Sequence, residues 1–387
     1  MEEWKEYKLK EVCEVINGRA YKQEELLSKG KYPVLRVGNI FQGNNWYYSD
    51  LELPDDKYCN KGDLLYAWSC GFAPYIWNGD KTIYHYHIWK LVENASVVDK
   101  TFLYYYLIIN TKRFLGGTHG SVMLHLTKRD MENQILKIPS LPTQQKIANI
   151  LSSLDDKIEV NRRINEQLEE LAQALFKSWF VDFEPFKDGE FVESELVKLG
   201  DVVKTTSGGT PSRKHMEYYG GNYGWVKSKE LNGTFIVDTE ETITDEAIAK
   251  SSAKLLPEKS ILIAMYGATV GQYAILSKAM TCNQAVCALL PNDNYPYTYL
   301  FMYAKNKKDE LINKAVGSAQ QNISQILIKD LDISNDIQKI KDYHKIVSPA
   351  FEIIEKNQQE ITHLTNLRDT LLPKLMSGEI DVNEVEI

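Results

Sequence analysis

The feature that most constrains this fold is an internal repeat. Three residues near the start of the chain recur 190 residues later: Leu9, Val12 and Gly18 reappear as Leu199, Val202 and Gly208. Further segments correspond in the same order, with the spacing drifting by a few residues: 32–37 with 223–228, 62–68 with 259–265, 102–107 with 299–303, and 128–131 with 328–331. Solenoid units are about 20–50 residues long, so a repeat of this length indicates a duplicated domain. The chain is predicted to contain two similar α+β domains with approximate twofold symmetry.

Each half of the repeat runs into a long helical stretch. The first extends from Pro142 to Pro185. Its apolar seam is predicted at Ile164, Leu168, Leu171 and Leu175, with Ile147, Ile150, Leu151, Leu154 and Ile158 upstream. The second extends from Ile337 to about Met376, with Pro373 and Ser377-Gly378 as its stop and a seam at Ile354, Ile361, Leu364 and Leu371. These spacings are helical and close to heptad periodicity. Two such seams in one chain most economically bury each other; a surface helix on a single globular core is the alternative.

Length, charge and cysteine content narrow the class of protein. A chain of 387 residues is long enough for two or three domains. It has no run of about 18 apolar residues and begins with acid, so a cytoplasmic protein without membrane span or signal peptide is predicted. Five cysteines without a C-x-x-C pair predict reduced, mostly buried thiols. The net charge of −8 opposes binding to phosphate. Acidic residues are concentrated in 155–170, 238–246 and 379–386, however, so the rest of the surface can be locally basic.

The sequence carries no recognisable catalytic set. Nucleotide-binding glycine loops, a nucleophile elbow and a zincin helix motif are all missing. His85-Tyr86-His87 could place two imidazoles on one strand face, but without nearby cysteine or acidic ligands two half-buried histidines are predicted instead of a metal site. The adjacent carboxylates Glu240-Glu241 are predicted to be solvated. The chain is therefore expected not to be an enzyme, and to hold no cofactor or metal of its own.

Matched loops rich in glycine, cations and hydroxyls are the signal that remains. Arg and Lys can contact phosphates and guanine edges, and Asn and Gln can pair with adenine. In the first domain the candidate DNA contacts are Arg19, Tyr21, Lys22, Arg36, Asn39, Trp68, His119 and Ser121. In the second domain they are Ser207, Gly209, Thr210, Ser212, Arg213, Lys227, Ser228, Tyr266, Gln320 and Asn322. Ordinary turns with solvated charges and core tyrosines are the alternative for each residue taken singly.

The predicted helices provide a spacer between the two domains. About 30 helical residues would form a rod of ~45 Å, and DNA half-sites one turn apart are separated by about 34–36 Å. Because the matched loops differ in sequence, the two domains would read different half-sites. The expected ligand is double-stranded DNA with a bipartite, asymmetric target.

Three motifs resemble one known family. The segment Ala174-Leu175-Phe176-Lys177-Ser178-Trp179-Phe180-Val181-Asp182-Phe183-Glu184-Pro185-Phe186 resembles the end of the central conserved region in specificity subunits of type I restriction-modification systems. Gly208-Gly209-Thr210-Pro211-Ser212 resembles the opening of their target-recognition domains, and 371–379 resembles the end of their distal helix. The resemblance implies target-recognition domains at 1–141 and 187–336. It also implies central and distal helical regions at 142–186 and 337–380, packed as an antiparallel coiled coil, and an acidic tail at 381–387.

The resemblance further implies a role in defence and a set of partners. Such a chain reads DNA for two adenine methyltransferase subunits, which use S-adenosylmethionine, and can also recruit restriction subunits that translocate and cut. S-adenosylmethionine, ATP and Mg²⁺ are expected only on those partners. Trp179, Phe180 and Phe183 would dock partners or the opposite domain, or pack only within this chain. A methylation-only or other defence complex is the alternative, and a two-lobed sugar- or protein-binding adaptor is a remoter one.

Two segments depart from the family pattern. The first domain has Gly18-Arg19-Ala20-Tyr21 where the second has its glycine-rich turn, which weakens the transfer of its contacts. The second half has Asn335-Asp336-Ile337-Gln338 where the first has Leu141-Pro142-Thr143-Gln144, which obscures the start of the distal helix.

Overall fold

The computed structural model describes residues 3–43, 45–69, 71–115, 126–182, 195–315 and 322–382. Its contacts divide the chain into two compact units. The first unit combines Met1–Asp156 with Thr365–Ile387, and the second unit is Lys157–Leu364. Each unit therefore contains one domain of strands and helices together with part of both long helices.

The first unit is built from short strands around one long helix. Its strands are β1 (Lys5–Lys8), β2 (Cys13–Asn17), β3 (Tyr32–Leu35), β4 (Tyr47–Ser49), β5 (Tyr58–Cys59), β6 (Leu64–Ala67), β7 (Ala73–Ile76), β8 (Thr82–Tyr84), β9 (Ile88–Glu93) and β10 (Ile135–Ile138). The helices of its domain are α1 (Leu9–Val12), α2 (Val37–Gln42), α3 (Lys100–Leu115) and α4 (Lys128–Glu132). One sheet has the order β2-β9-β6-β7 and is antiparallel, and a second has the order β4-β3-β8-β5 with β3 parallel to β8. Side chains of β2, β6 and β9 form a core with α3 and with the first turns of the long helix that follows β10.

The second unit repeats this plan. Its strands are β11 (Leu196–Lys198), β12 (Lys204–Ser207), β13 (Tyr219–Val226), β14 (Phe235–Ile236), β15 (Thr242–Ile243), β16 (Ile261–Ala264), β17 (Tyr273–Leu276), β18 (Thr281–Cys282), β19 (Val286–Leu290) and β20 (Asp332–Ser334). Between the two long helices its chain also forms α6 (Leu199–Val202), α7 (Asp245–Lys250), α8 (Tyr297–Lys314) and α9 (Gln325–Lys329). The sheet β12-β19-β16-β17-β14 corresponds to the first sheet of the first unit with one added strand, and β15-β13-β18 forms another sheet. All four residues of β16, like all four of β6, are buried, as expected for a short apolar strand inside the core.

The duplication predicted from the sequence is confirmed at the level of single hydrogen bonds. The Leu9 amide donates to the Gln134 carbonyl, and the Leu199 amide donates to the Leu331 carbonyl, both at 2.9 Å. β1 pairs with β10 as β11 pairs with β20. The N-cap hydroxyls of Thr127 and Ser324 each accept from a backbone amide three residues later, at the start of α4 and α9. These positions show that 128–131 correspond to 325–328, so the pairing of 128–131 with 328–331 predicted from the sequence is wrong by three residues, although the order of the repeated elements is confirmed.

The two long helices are α5 (Leu141–Lys177) and α10 (Ile337–Ser377). α5 continues into five residues of π-helix, Ser178–Asp182, and its predicted end at Pro185 lies outside the described residues. α10 continues through Pro373, which was predicted to help end it, and stops where Gly378 adopts a φ of +74°. A left-handed residue after the last turn favours glycine, so Gly378 is the effective stop. Within the described residues, no helix has the length and apolar character needed to span a membrane.

The predicted seam of α5 is wrong at Ile164 and Leu171, whereas Leu168 and Leu175 pack against the core of the second unit and the upstream residues Ile147, Ile150, Leu151 and Ile158 are buried as predicted. Ile164 and Leu171 are 38% and 68% exposed, and Leu168 and Leu175 are only partly buried. The buried positions of α5 in the second unit are Ile158, Asn161, Asn165, Ala172 and Phe176. Two of these are asparagines, which an apolar pattern cannot reveal. For α10 the buried residues Ile354 and Ile361 agree with the prediction.

The buried asparagines connect the two helices in the second unit. The Asn357 Nδ2 donates to Asn165 Oδ1 at 2.9 Å, and the Asn161 Nδ2 donates to a Glu360 carboxylate oxygen at 2.7 Å. Later residues of α5 meet earlier residues of α10, since the Tyr343 hydroxyl donates to the Ala172 carbonyl. The helices are therefore antiparallel, as predicted. Buried polar pairs of this kind specify helix register at a cost in stability.

Gln144 anchors the start of α5 in the first unit. Its side chain is fully buried. It accepts from the Asp99 amide at 2.9 Å, and donates to the carbonyls of Val97 and Pro139 at 3.0 and 2.9 Å. One amide thereby satisfies three backbone groups that water does not reach. In the second unit Ile340 takes the equivalent position one turn after Asp336, so the distal helix begins clearly despite its different sequence.

We predict that Gln144→Ala destabilises the first unit by about 3 kcal/mol, because it leaves buried backbone groups without partners. Hydrogen exchange followed by mass spectrometry should show faster exchange at the Asp99 amide and along the start of α3. Gln145→Ala is the matched control, since Gln145 is exposed on the same helical turn. Equal protection in the two variants would contradict this role for Gln144.

Candidate nucleic-acid interface

Both units bring a glycine at the end of a strand against a turn between two other strands. In the first unit the Gly18 amide donates to the Ile88 carbonyl and the Arg19 amide to the Tyr84 carbonyl, at 3.2 and 3.1 Å. In the second unit the Gly208 amide donates to the Val286 carbonyl at 3.2 Å, and the Gly209 amide to the Cys282 carbonyl at 2.9 Å. The turns met in this way are 85–87 and 283–285.

Only glycine allows this contact. A Cβ placed on Gly18 would lie 2.3 Å from the His85 carbonyl oxygen, and one placed on Gly208 would lie 2.1 Å from the Cys282 carbonyl oxygen. Neither carbonyl can move away easily, because each belongs to backbone held by strand pairing. The glycines singled out by the sequence repeat are therefore required by packing against the turn.

Each turn also contacts the ends of two further strands. The amides of His85 and Asn283 donate to the carbonyls of Leu35 and Val226, both at 2.9 Å. The carbonyls of His87 and Ala285 accept from the amides of Trp68 and Met265, at 3.0 and 2.8 Å. The next residues along those strands are Arg36, Lys227 and Tyr266, so the turns gather predicted contacts from separate loops. The turns themselves were not among the predicted DNA contacts, and it is these hydrogen bonds that show 85–87 to correspond to 283–285.

Arg19 and Tyr21 form one side of the cluster in the first unit. The Arg19 guanidinium makes two hydrogen bonds with the Glu25 carboxylate, at 3.0 and 2.7 Å, and lies 5.1 Å from the centre of the Tyr21 ring. The Tyr21 ring stacks on His85. Burial raises the pKa of the Tyr21 hydroxyl, which has no hydrogen-bond partner among the described residues. Lys22, by contrast, extends into solvent.

Arg36 and Asn39 form the other side. The Arg36 guanidinium lies 4.3 Å from the centre of the Tyr47 ring and donates to the Asn45 carbonyl at 2.7 Å. Its buried Nε has no hydrogen-bond partner within the part of the chain that is described. Asn39 is 7% exposed, and its side-chain oxygen accepts from the Arg36 amide at 3.0 Å, so Asn39 positions this loop.

Trp68 and the turn histidines complete the first cluster. The Trp68 Nε1 donates to the Tyr86 carbonyl at 2.8 Å, and its ring stacks on Trp89. Burial, together with the nearby His87 and Arg36, lowers the pKa of His85 to about 4. His85 is therefore neutral near pH 7 and can accept or donate a hydrogen bond. The two histidines lie in a turn between β8 and β9, not on the face of one strand.

Arg213 and Lys227 meet at one carboxylate in the second unit. Glu241 accepts from the Arg213 guanidinium at 2.6 Å, and its other oxygen lies 3.0 Å from the Lys227 ammonium. Arg213 also lies over the rings of Tyr219 and Trp225, at 4.2 and 5.4 Å from their centres. The side chain of Glu241 is 32% exposed and ion-paired, whereas a solvated carboxylate was predicted.

The other predicted residues of the second domain lie around this pair. Gly209 accepts from the Trp225 indole at 3.0 Å, Thr210 contacts Gln284 of the turn, and Ser212 accepts from the Lys214 amide at 3.3 Å. Ser207 donates to Gln325 at 3.1 Å, which joins the end of β12 to α9. Tyr266 and Asn322 form an isolated β-bridge, and Ser228 begins a short 3₁₀ turn after Lys227.

Some predicted residues lie outside the described part of the chain. These are His119, Ser121, Gln320 and Phe183. Trp179 and Phe180, predicted to dock partners, lie in the π-helical turn and pack against Tyr343 at ring distances of 6.4 and 5.6 Å. Both are partly buried against the core of the second unit, which is the alternative that the sequence left open.

A family model described as the type I restriction modification DNA specificity domain matches residues 1–170 and 192–366. The chain belongs to this specificity family. The two matches coincide with the two halves of the repeat, each carrying one glycine-and-turn arrangement. The resemblance drawn from the three sequence motifs is thereby confirmed.

Individual members of the specificity family are similar over most of the chain. The HindI specificity subunit of Haemophilus influenzae is 27% identical over 98% of this chain and its own full length. The MjaIX specificity subunit of Methanocaldococcus jannaschii is 30% identical over 76% of this chain and 72% of its own length. A solved S subunit of a type I restriction-modification system from M. genitalium superposes with a TM-score of 0.66 at 17% identity, covering 97% of this chain and 96% of that one. The fold predicted for the whole chain is therefore that of a specificity subunit.

We predict that Arg36→Ala weakens binding to duplex DNA of any sequence and reduces the slope of log affinity against log salt by about 1, because one phosphate contact is lost. Fluorescence anisotropy at several salt concentrations measures this. Lys81→Ala is the matched control, since Lys81 also lies over a tyrosine, Tyr58, but precedes the opposite end of β8. An unchanged slope in Arg36→Ala would contradict the contact.

We also predict a pH effect at His85. Because its pKa falls from 6.5 to about 4 on folding, the unfolded chain binds more protons between these values. Stability should therefore fall as the pH drops from about 6.5 towards 4, and should not depend on His85 above that range. His85→Asn should remove this loss, and Asn283 holds the equivalent position with the same side-chain acceptor for the second following amide.

Urea unfolding near pH 7.5 and near pH 5 measures the effect. The variant should gain stability relative to the wild-type chain at the lower pH. His363→Asn, on the exposed side of α10, is the control. The same difference between the two proteins at both pH values would contradict the assignment.

Proposed function

We propose that this chain supplies DNA sequence specificity to a type I restriction-modification complex, with each domain reading one half of a bipartite, asymmetric target. The observation that carries the proposal is the pair of equivalent turns with different side chains. One turn presents His85, Tyr86 and His87, and the other presents Asn283, Gln284 and Ala285. Two turns with equivalent backbone hydrogen bonds but different side-chain donors and acceptors suit two reading sites with different base preferences.

The side chains around the turns match the needs of DNA recognition. Arg36 and Arg213 lie over aromatic rings, which holds a guanidinium ready for phosphate or for a guanine edge. Exposed Tyr86 and Gln284 stand at the centres of the two turns. Candidate contacts from separate loops thus converge in each domain. A surface that reads bases through several loops at once gains specificity with each of them.

The helices set the distance between the half-targets in this proposal. The Asn165–Asn357 pair opposes sliding of α5 along α10, because a shift by one turn would leave buried amides without partners. The register of the helices then fixes the number of unread bases. The chain itself carries out no chemistry.

Partner subunits supply the reactions. Two adenine methyltransferase subunits with S-adenosylmethionine would modify the target, and restriction subunits with ATP and Mg²⁺ would cut unmodified DNA. This assignment draws on the specificity family and on the names of the relatives from H. influenzae and M. jannaschii. We do not propose that the methyltransferases dock on the buried parts of Trp179 and Phe180.

Mapping of methylated adenines in the source genome tests the function. Deletion of the gene should abolish methylation at one motif made of two specified parts separated by unspecified bases, and re-expression of the full chain should restore it. A second strain carrying only the methyltransferase gene is the control, since it lacks the reader. The proposal would be contradicted if the deletion left methylation at every motif unchanged, or if it abolished methylation at one continuous palindromic motif.

A further inference from the structure

Glu241 is bound by two cations of the candidate interface at the same time. Its Oε2 accepts from Arg213 at 2.6 Å, and its Oε1 lies 3.0 Å from Lys227. Both of its oxygens are thus engaged by groups predicted to contact DNA. These cations pull the pKa of the Glu241 carboxyl below its usual range, Arg213 most strongly, so the group is charged at neutral pH.

The position of Glu241 is fixed by its own backbone. Its carbonyl accepts from the Trp225 amide at 3.0 Å and from the Thr239 hydroxyl at 2.7 Å. Trp225 lies in β13, beneath the Arg213 guanidinium. The backbone of Glu241 is therefore anchored to the strand, and the pairs with Arg213 and Lys227 hold its carboxylate.

The charges around Glu241 balance. Lys227 also lies 3.5 Å from Glu240, which is 2.7 Å from Lys229. The Glu230 carboxylate accepts from the amides of Lys227 and Glu240, at 2.7 and 2.8 Å. Three cations, Arg213, Lys227 and Lys229, thus face three carboxylates, Glu230, Glu240 and Glu241. A neutral patch attracts a phosphate backbone weakly, because non-specific DNA binding depends almost entirely on net positive potential.

The first domain differs at the equivalent position. Arg36 follows β3 as Lys227 follows β13, since Leu35 and Val226 accept the matching turn amides. Arg36 bonds to a backbone carbonyl and a tyrosine ring, and no carboxylate pairs with it in the described residues. The second domain therefore restrains its cations with acid, and the first leaves this one available.

We propose that Glu241 is a specificity-determining residue of the second domain, which holds Arg213 towards a base edge and denies Arg213 and Lys227 to the phosphates of non-target DNA. This inference rests on the proposed function. On the target, the buttressed Arg213 keeps Glu241 and uses its remaining donors on the base. On other DNA, phosphate contacts require the ion pairs to break, and no base contact offsets that loss.

The test compares Glu241→Gln with the wild-type full chain in complex with its methyltransferase subunits. The probes are a duplex carrying the mapped methylation target and a duplex of equal length with the target bases scrambled. Binding to the scrambled duplex should strengthen about eightfold near 0.1 M salt, with a salt slope steeper by about 1, because one further phosphate contact forms. Binding to the target should not strengthen, so the ratio of the two affinities should fall by a similar factor.

Glu355→Gln is the matched control. Glu355 pairs with Lys259, which precedes β16 at the end of that strand opposite to Tyr266, and the substitution changes the net charge by the same amount. Its ratio of affinities should equal that of the wild-type chain. Glu241→Asp, which keeps the charge on a shorter side chain, should retain weak binding to the scrambled duplex. Thermal melting of the variants identifies any loss of folding. If Glu241→Gln does not fold, a folded Glu241→Asp that binds the scrambled duplex as tightly as the target would overturn the inference.

Two outcomes would overturn the inference. An equal gain in affinity for both duplexes would mean that Glu241 acts only through net charge. A loss of target binding with unchanged binding to the scrambled duplex would mean that Glu241 itself reads a base. Failure of the proposed function is distinguishable, since the wild-type complex would then bind the two duplexes equally.

Discussion

A glycine pressed against a turn carbonyl is the contact on which both candidate interfaces depend. At Gly18 and Gly208 the added methyl group of any other residue would meet backbone oxygen at little more than 2 Å. The contact fixes the turn against the strand end, and the turn in turn fixes Leu35 and Val226, whose next residues are the cations of the site. Gly18 and Gly208 thus determine where Arg36 and Lys227 lie.

The duplicated fold could be predicted because the repeat preserves residues that packing demands, such as Leu9 with Leu199 and the two glycines. The seam of α5 could not, because Asn161 and Asn165 occupy buried positions that a search for apolar residues passes over. In the site, the loops with Arg19 and Arg213 were found from composition. Their partners Glu25 and Glu241 were not, since pairing depends on how the folded loops approach one another. The turn histidines were predicted to be half-buried residues of a strand, and their equivalence to Asn283 follows only from the hydrogen bonds of the folded turns.

The electrostatics of the two domains differ at the cation next to the turn, although each domain also pairs one arginine, Arg19 or Arg213, with a carboxylate. A chain with a net charge of −8 cannot rely on overall attraction to bind a polyanion. Binding must then depend on where single cations are placed. Arg36 lies over a tyrosine ring, whereas Lys227 is paired with a carboxylate. Duplication therefore preserved the backbone and allowed the charge pattern of each copy to change separately. Such divergence lets one half of a target be altered without disturbing the other half.

The first unit is built from two segments that lie far apart in the sequence, and this affects how the chain folds during its synthesis. Its core joins Ile147 and Leu151 near the start of α5 to Leu372, Leu375 and Met376 near the end of α10. More than 200 residues separate these segments, so this apolar surface of the amino-terminal domain lacks its partner until residues 365–382 have been synthesised. The second unit, which is continuous from 157 to 364, has no such delay. The domain made first is therefore the one completed last, and it is the part of the chain for which chaperone protection during translation matters most.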